Sequence, residues 1–179
     1  MDDVAQTRLL VALIGFMGAG KSTVGRILAA ELGAEFLDLD DLIVERAGAT
    51  IPEIFALRGE AAFREIESAC LRALAAASAP TVLAAGGGAP VSEANRPFFA
   101  ERARTFYLAA PFGEVVARIA GDGSRPLLSG SLDDLRRLYE SRLSVYEALG
   151  HRVDAGGRPP EEIAREVARL LVPPGSPRS

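Results

Sequence analysis

The stretch Gly15-Phe16-Met17-Gly18-Ala19-Gly20-Lys21-Ser22-Thr23 constrains this chain more than any other. It follows Arg8 to Ile14, a short and almost unbroken apolar run that reads as a strand buried on both faces. It leads into Lys21 to Leu32, where Val24, Ile27, Leu28 and Leu32 repeat at the spacing of one helical face and Gly33 ends the helix. A strand before and a helix after are the context that the pattern G-x-x-x-x-G-K-[ST] requires. Its glycines let backbone N–H groups surround phosphate oxygens, and the helix N-terminus adds a favourable dipole. Lys21 would reach the β- and γ-phosphates as a point charge, and the Ser22 hydroxyl would ligate Mg²⁺. Gly18, Ala19, Gly20, Lys21, Ser22 and Thr23 are therefore expected to bind a nucleoside triphosphate, most simply ATP. Lys21 is also the only lysine, beside nineteen arginines.

Composition limits what surrounds this motif. A length of 179 residues, 49% of them hydrophobic and 25% charged, fits one globular domain with a substantial core. The formal net charge of -4 argues against nucleic acid as a partner held by a broad basic field. One cysteine, Cys70, and one histidine, His151, allow neither an intramolecular disulfide nor a Cys/His zinc cluster. Met1-Asp2-Asp3 lacks the basic flank of a secretory signal. The charge-poor stretch Ala73 to Ser92 is broken by Pro80, Gly86, Gly87, Gly88 and Pro90, so it does not read as a membrane span. The expected location is the cytoplasm, and nothing visible in the sequence calls for an oligomer.

Further strands are expected at Glu35 to Leu39, Thr81 to Ala85, Thr105 to Leu108 and Arg152 to Asp154. Helices are expected over Asp40 to Ala47, Ile51 to Leu57, Glu60 to Ala77, Phe112 to Ala120 and Leu132 to Leu149, with a last one ending at Leu171. Thr50, Pro52 and Glu53 form a cap signature for the Ile51 helix. Strands alternating with helices imply a parallel sheet covered on both sides, with ligands bound beyond the carboxyl ends of its strands. Residues 1–172 form a single domain in this reading, and the proline-rich tail 173–179 is expected to be disordered.

The loops at those carboxyl ends carry the remaining chemistry. Thr81 to Ala85 offers no acid before Gly86-Gly87-Gly88, so a carboxylate must come from Asp38-Leu39-Asp40. Residues two apart on a strand share a side, and these two would emerge beside the phosphate loop. The alternative is a solvated strand end, with Asp40 capping the next helix. Arg58, Gly59 and Arg64 stand near the start of a long helix. Arg125-Pro126-Leu127-Leu128 lies in a glycine-flanked loop, and Arg142 in the helix beyond it. Most arginines face solvent, but planar two-pronged contact with a carboxylate or phosphate favours this side chain.

Taken in order, these elements resemble the shikimate kinase family. The matching segments are GFMGAGKST, Asp38-Leu39-Asp40, Gly59-Glu60 with Phe63-Arg64-Glu65, and Gly86-Gly87-Gly88. Arg125-Pro126-Leu127-Leu128, Arg142 with Tyr146, and Arg152-Val153-Asp154 complete the set. The resemblance implies an α/β fold: a three-layer sandwich with a central parallel sheet of about five strands, of the P-loop, nucleoside-monophosphate-kinase type. A mobile lid would cover about residues 121–131. It implies ATP-dependent phosphorylation of the shikimate 3-hydroxyl with Mg²⁺, on the route to aromatic amino acids. Asp40 would orient or deprotonate the attacking hydroxyl, and Asp38 would hold Mg²⁺ through water, complementing direct ligation by Ser22. Arg64 and Arg142 would clamp the substrate carboxylate beside the glycines at 86, 87 and 88. Arg125 would descend with the lid, catalytic together with Lys21 and Asp40, while Arg118 and the Arg158 to Pro160 segment would frame the adenine. The expected form is a monomer acting on shikimate and ATP.

Other residues read more plainly. His151 is expected at the surface or in packing, and Cys70 as an inert core residue. Phe16, Phe55 and Phe63 fit either the core or the floor of a substrate pocket. Two rivals stay open at this level: a gluconate or nucleotide kinase of the same architecture, and a non-catalytic sensor. A sensor would be expected to have lost some of Lys21, Asp40, Arg64 or Arg125, and all four are present.

Overall fold

A computed structural model describes residues 9–76, 78–121 and 131–172. Residues 122–130 of the expected lid, Arg125 among them, lie outside the described residues, as does the expected tail 173–179.

Strand β1 (Leu10–Ile14) is buried at all five positions, as its unbroken apolar run requires. Full burial of Leu10, Val11, Leu13 and Ile14 contributes on the order of 1.5–3 kcal/mol for each. Strands β2 (Glu35–Asp38), β3 (Thr81–Ala84), β4 (Arg104–Ala109) and β5 (His151–Asp154) complete a five-stranded sheet in the order β2-β3-β1-β4-β5. Every neighbouring pair is parallel, with Val11 opposite both Val82 and Arg104. The helices are α1 (Lys21–Leu32), α2 (Leu39–Ala47), α3 (Ile51–Ala76), α4 (Phe112–Gly121), α5 (Leu132–Leu149) and α6 (Pro160–Leu171). The path β1–α1–β2 runs outward and β2–α3–β3 runs back, so right-handed crossovers place α1 and α3 on opposite faces. The α6 stripe Ile163, Ala164, Val167 and Leu171 is buried, and α6 packs on α1. No described helix is long and apolar enough to cross a membrane.

Two local features differ from the sequence expectation. The β2 strand stops at Asp38, which becomes the N-cap of α2, its side chain accepting from the Asp40 amide. Asp40 is therefore not the cap and lies in the first helical turn. The helices expected on either side of Gly59 are both present within Ile51–Ala76, separated by a kink at Gly59 with φ 76° and ψ 175°. That conformation is essentially restricted to glycine. Residues 89–102 fold into three short turns, Ala89–Val91, Glu93–Asn95 and the π-helical Phe98–Arg102, too brief to leave a periodic signal. They nonetheless bury Asn95, Phe98 and Phe99.

Helix α5 meets the sheet at Gly150. A Cβ there would lie 2.8 Å from the Tyr107 backbone nitrogen and 3.2 Å from Ile14 Cδ1. Its φ of -122° is ordinary, so the demand on glycine is purely one of space. Gly150→Ala is expected to lower stability by about 1–3 kcal/mol through overpacking. Urea unfolding with an unchanged m value and a lower midpoint is the expected result.

Candidate active site

The phosphate-binding loop leaves β1 at Gly15 and ends at Gly20, the N-cap of α1 in a left-handed conformation with φ 91° and ψ 14°. No side chain caps α1 and no acid occupies its first turn, which keeps the N-terminus attractive to anions. Lys21 Nζ donates to the Gly15 carbonyl at 3.0 Å and the Phe16 carbonyl at 2.9 Å, drawing the ammonium onto its own loop. Arg118 of α4 donates to the Gly18 carbonyl at 3.1 Å and pairs with Glu114 at 3.0 Å. Arg118 therefore stands beside the loop. Arg158 does not lie in the cleft described below: it donates to the Asp154 carbonyl at 2.8 Å and pairs with Glu166 at 2.6 Å.

Ser22 Oγ donates to Asp38 Oδ2 at 2.6 Å, joining the start of α1 to the end of β2. The cap position of Asp38 fixes the other carboxylate oxygen on the Asp40 amide at 3.1 Å. A cleft of about 290 Å³ is lined by Lys21, Ser22, Asp38, Asp40, Gly86 and Gly87 among others. Two larger cavities, about 450 Å³ and 410 Å³, lie along α3 and include none of these side chains. Chemistry rather than size identifies the cleft.

The three glycines after β3 hold the site together. A Cβ on Gly86 would stand 3.1 Å from Asp40 Oδ1. One on Gly87 would be 3.3 Å from Arg142 Nη1, and one on Gly88 would collide with Arg64 Nη2 at 2.8 Å. Each glycine thus makes room for a different charged side chain, carried by α2, α5 and α3 respectively. Arg64 and Arg142 converge on one short loop, with Asp40 at its near end and the phosphate loop alongside. Phe16 is buried under this group, its ring 5.6 Å from Arg142 Cζ. Phe63 is buried and lies 5.1 Å from Arg64 Cζ, while Phe55 stacks on it from a half-exposed position.

The roles of the supporting residues, Tyr146 among them, escaped the sequence reading. Tyr146, fully buried one turn after Arg142, donates its hydroxyl to the Gly87 carbonyl at 2.6 Å. Burial raises its phenol pKa, with Arg142 opposing, so the hydroxyl stays protonated and donating at neutral pH. Arg64 Nη1 reaches both oxygens of Glu67 at 3.1 Å, and Glu67 is 2% exposed. The contact of Arg64 Nη2 with Glu60 is longer, 3.4 Å. Asn95 and Ser68 complete the surroundings of Glu67. The signal for Glu67 was a lone carboxylate in the apolar stripe Phe63, Leu71 and Leu74 of α3. Cys70 is buried, and burial raises its thiol pKa. His151 is exposed and lies edge-on to Phe106.

Burial lifts the Glu67 carboxyl above its ordinary value of 4.5, outweighing the opposing pull of Arg64, and nearby Asp40 adds to the rise. The folded state therefore holds this proton more tightly than the unfolded chain does. Its contribution to stability is present at low pH and lost as pH rises through the raised value. Glu67→Gln is expected to remove that part of the decline and leave a flatter curve above pH 4.5. Urea midpoints of both proteins across the acid-to-neutral range test this, and parallel curves would contradict it.

Known proteins resemble this chain over most of its length. The family model for shikimate kinase matches residues 17–172. A shikimate kinase of Geobacter sulfurreducens is 42% identical over 163 residues, covering 90% of each chain. One of Salinibacter ruber is 42% identical over 178 residues, covering 93% of this chain and 86% of the relative. The shikimate kinase of Acinetobacter baumannii, solved in complex with shikimate, superposes with a TM-score of 0.82 at 38% identity, covering 93% of this chain and 94% of that one. The crystal structure of the Aquifex aeolicus enzyme gives a TM-score of 0.81 at 36% identity, covering 91% and 96%. With its phosphate loop, its parallel sheet and relatives matched over nearly their whole length, the chain belongs to the shikimate kinase family.

Proposed function

We propose that this chain transfers the γ-phosphoryl group of ATP to the 3-hydroxyl of shikimate, giving shikimate 3-phosphate and ADP on the route to chorismate and the aromatic amino acids. The observation that carries the reading is the convergence of Asp40, Arg142 and Arg64 on Gly86, Gly87 and Gly88, next to the loop of Lys21. Two guanidinium groups facing one loop suit a carboxylate, and an adjacent carboxylate suits a hydroxyl. That pairing matches an acid that is also an alcohol. The enzyme would act as a cytoplasmic monomer on two small molecules, with neither nucleic acid nor membrane as partner, its domain ending near residue 172.

In this reading the Gly18 to Thr23 amides and Lys21 hold the phosphates. Asp40 aims the acceptor hydroxyl and takes its proton as oxygen attacks the γ-phosphorus and the bond to the bridging oxygen breaks. Arg64 and Arg142 fix the ring through its carboxylate, with the Gly87 backbone as a further contact. Arg125, from the proposed lid, adds a cation over the phosphates and excludes water. Arg118, already bonded to the loop at Gly18, flanks the nucleotide. Arg158 is neutralised by Glu166, so the turn to Pro160 would frame the adenine by shape more than by charge.

The residues fit a magnesium ion. Ser22 Oγ and Asp38 are hard oxygen donors 2.6 Å apart at the edge of the cleft. Among the described residues no cluster of three or more His, Cys, Asp or Glu could hold a metal, which suits a cation completed by phosphates and water. Ser22 would bind it directly and Asp38 through water. When bound, it would neutralise charge on the β- and γ-phosphates.

ADP release coupled to an optical signal, with ATP, Mg²⁺ and shikimate, is the direct test. Wild type is expected to be active and Lys21→Met to lose most of its turnover. Well-folded wild type that releases no shikimate-dependent ADP would overturn the assignment. Arg64→Ala should raise KM for shikimate by roughly ten- to hundredfold, the equivalent of about 1.5–3 kcal/mol for a lost charge-assisted bond. KM for ATP should hardly move. Equal losses in both would refute the division between the two sub-sites.

A further inference from the structure

Asn95 lies in one of the short turns that the sequence did not reveal, and it is 2% exposed. Its Nδ2 donates to Glu67 Oε2 at 3.2 Å and to the Ala89 carbonyl at 3.1 Å, while Oδ1 accepts from Ser68 Oγ at 2.6 Å. Both amide protons meet acceptors and the amide oxygen meets a hydroxyl, so only one orientation of the side chain satisfies the group. These bonds join two bodies. Glu67 and Ser68 belong to α3, one turn beyond Arg64, whereas Ala89 directly follows Gly88. A Cβ at Gly88 would stand 2.8 Å from Arg64 Nη2, so the Arg64 side chain packs directly against the glycine loop here.

From this geometry we infer that Asn95, backed by Ser68, is a positioning residue that sets the aim of Arg64 toward an acidic substrate. Glu67 grips Arg64 through Nη1 with both carboxylate oxygens, and the direction of that grip depends on where the carboxylate is held. Asn95 holds it by one oxygen and ties the same point to the loop that the guanidinium faces. Among the described residues, Arg64 carries only the 3.4 Å contact to exposed Glu60 on its Nη2 side. Asn95 touches neither the phosphate loop nor Lys21 in any of its three bonds, so its influence falls on the acid side alone. Asn95→Asp keeps the shape and replaces the donor by a carboxylate facing Glu67 and a carbonyl. Two buried carboxylates this close share a proton, so Asn95→Asp loosens the hold on Glu67 and Arg64 loses its direction toward a substrate acid.

The inference rests on the function proposed above, and the experiment separates the two. KM for shikimate, KM for ATP and kcat are measured for wild type, Asn95→Asp, Ser68→Ala and Ser68→Thr, with a thermal midpoint for each. Asn95→Asp is expected to raise KM for shikimate about tenfold, with KM for ATP within about twofold and kcat at saturating shikimate within about threefold. Ser68→Ala should raise KM for shikimate by about threefold, and Ser68→Thr should restore it, since Ser68 borders a cavity of about 410 Å³ with room for a methyl group. An Asn95→Asp protein that folds yet keeps the wild-type KM for shikimate would overturn the inference, as would a parallel rise in both KM values. If that variant does not fold, an unchanged KM for shikimate in Ser68→Ala has the same force. A threefold rise in Ser68→Thr as well would remove the role of the hydroxyl. An inactive wild type would instead remove the proposed function, and the inference with it.

Discussion

Three backbone positions without side chains, Gly86, Gly87 and Gly88, are the constraint on which the rest of the site depends. Any Cβ there would stand within 2.8–3.3 Å of Arg64, Arg142 or Asp40. Charged side chains from three helices can therefore approach one loop only because that loop presents bare backbone. The sheet order makes this possible: β3 lies between β1 and β2, so its carboxyl end opens between the phosphate loop and the Asp38–Asp40 turn. Tyr146 then fixes the Gly87 carbonyl from below, and α5 can reach it because Gly150 lets the helix end press against β4.

The electrostatics of the site work against stability in one place. Glu67 is almost fully buried, and its desolvation exceeds what Arg64 returns. A chain selected for stability alone would do better with an apolar residue at that point of the α3 stripe. A partly exposed guanidinium beside a buried carboxylate is instead held in one direction, and direction is what recognition of a planar acid demands. Such local departures from the lowest-energy choice are characteristic of positions under functional demand.

Much of the fold was legible because its signals are periodic or glycine-marked. The apolar run of β1, the α1 stripe with its Gly33 stop and the α5 span were all readable to within a residue or two. The grouping of Asp40, Arg64, Arg142 and the glycines was legible through the family resemblance that their ordered segments carry, in keeping with the rule that ligands meet parallel sheets at strand carboxyl ends. What stayed hidden was not periodic. The turns of residues 89–102 are three to five residues each, and Asn95 gains its importance only from bonds to α3, 27 and 28 residues away. The role of Asp38 as a cap was hidden for a related reason: whether a strand continues through Asp38-Leu39-Asp40 depends on the hydrogen bond to the Asp40 amide, not on composition.

The two outermost strands, β2 and β5, are each four residues long. Glu35 is exposed on one, and His151, Arg152 and Asp154 on the other, while Arg26 lies over the Phe36 ring. An incoming strand from a second molecule would find few backbone groups to bond and ionised neighbours to desolvate. The borders of the sheet thus discourage edge-to-edge pairing between copies of the chain.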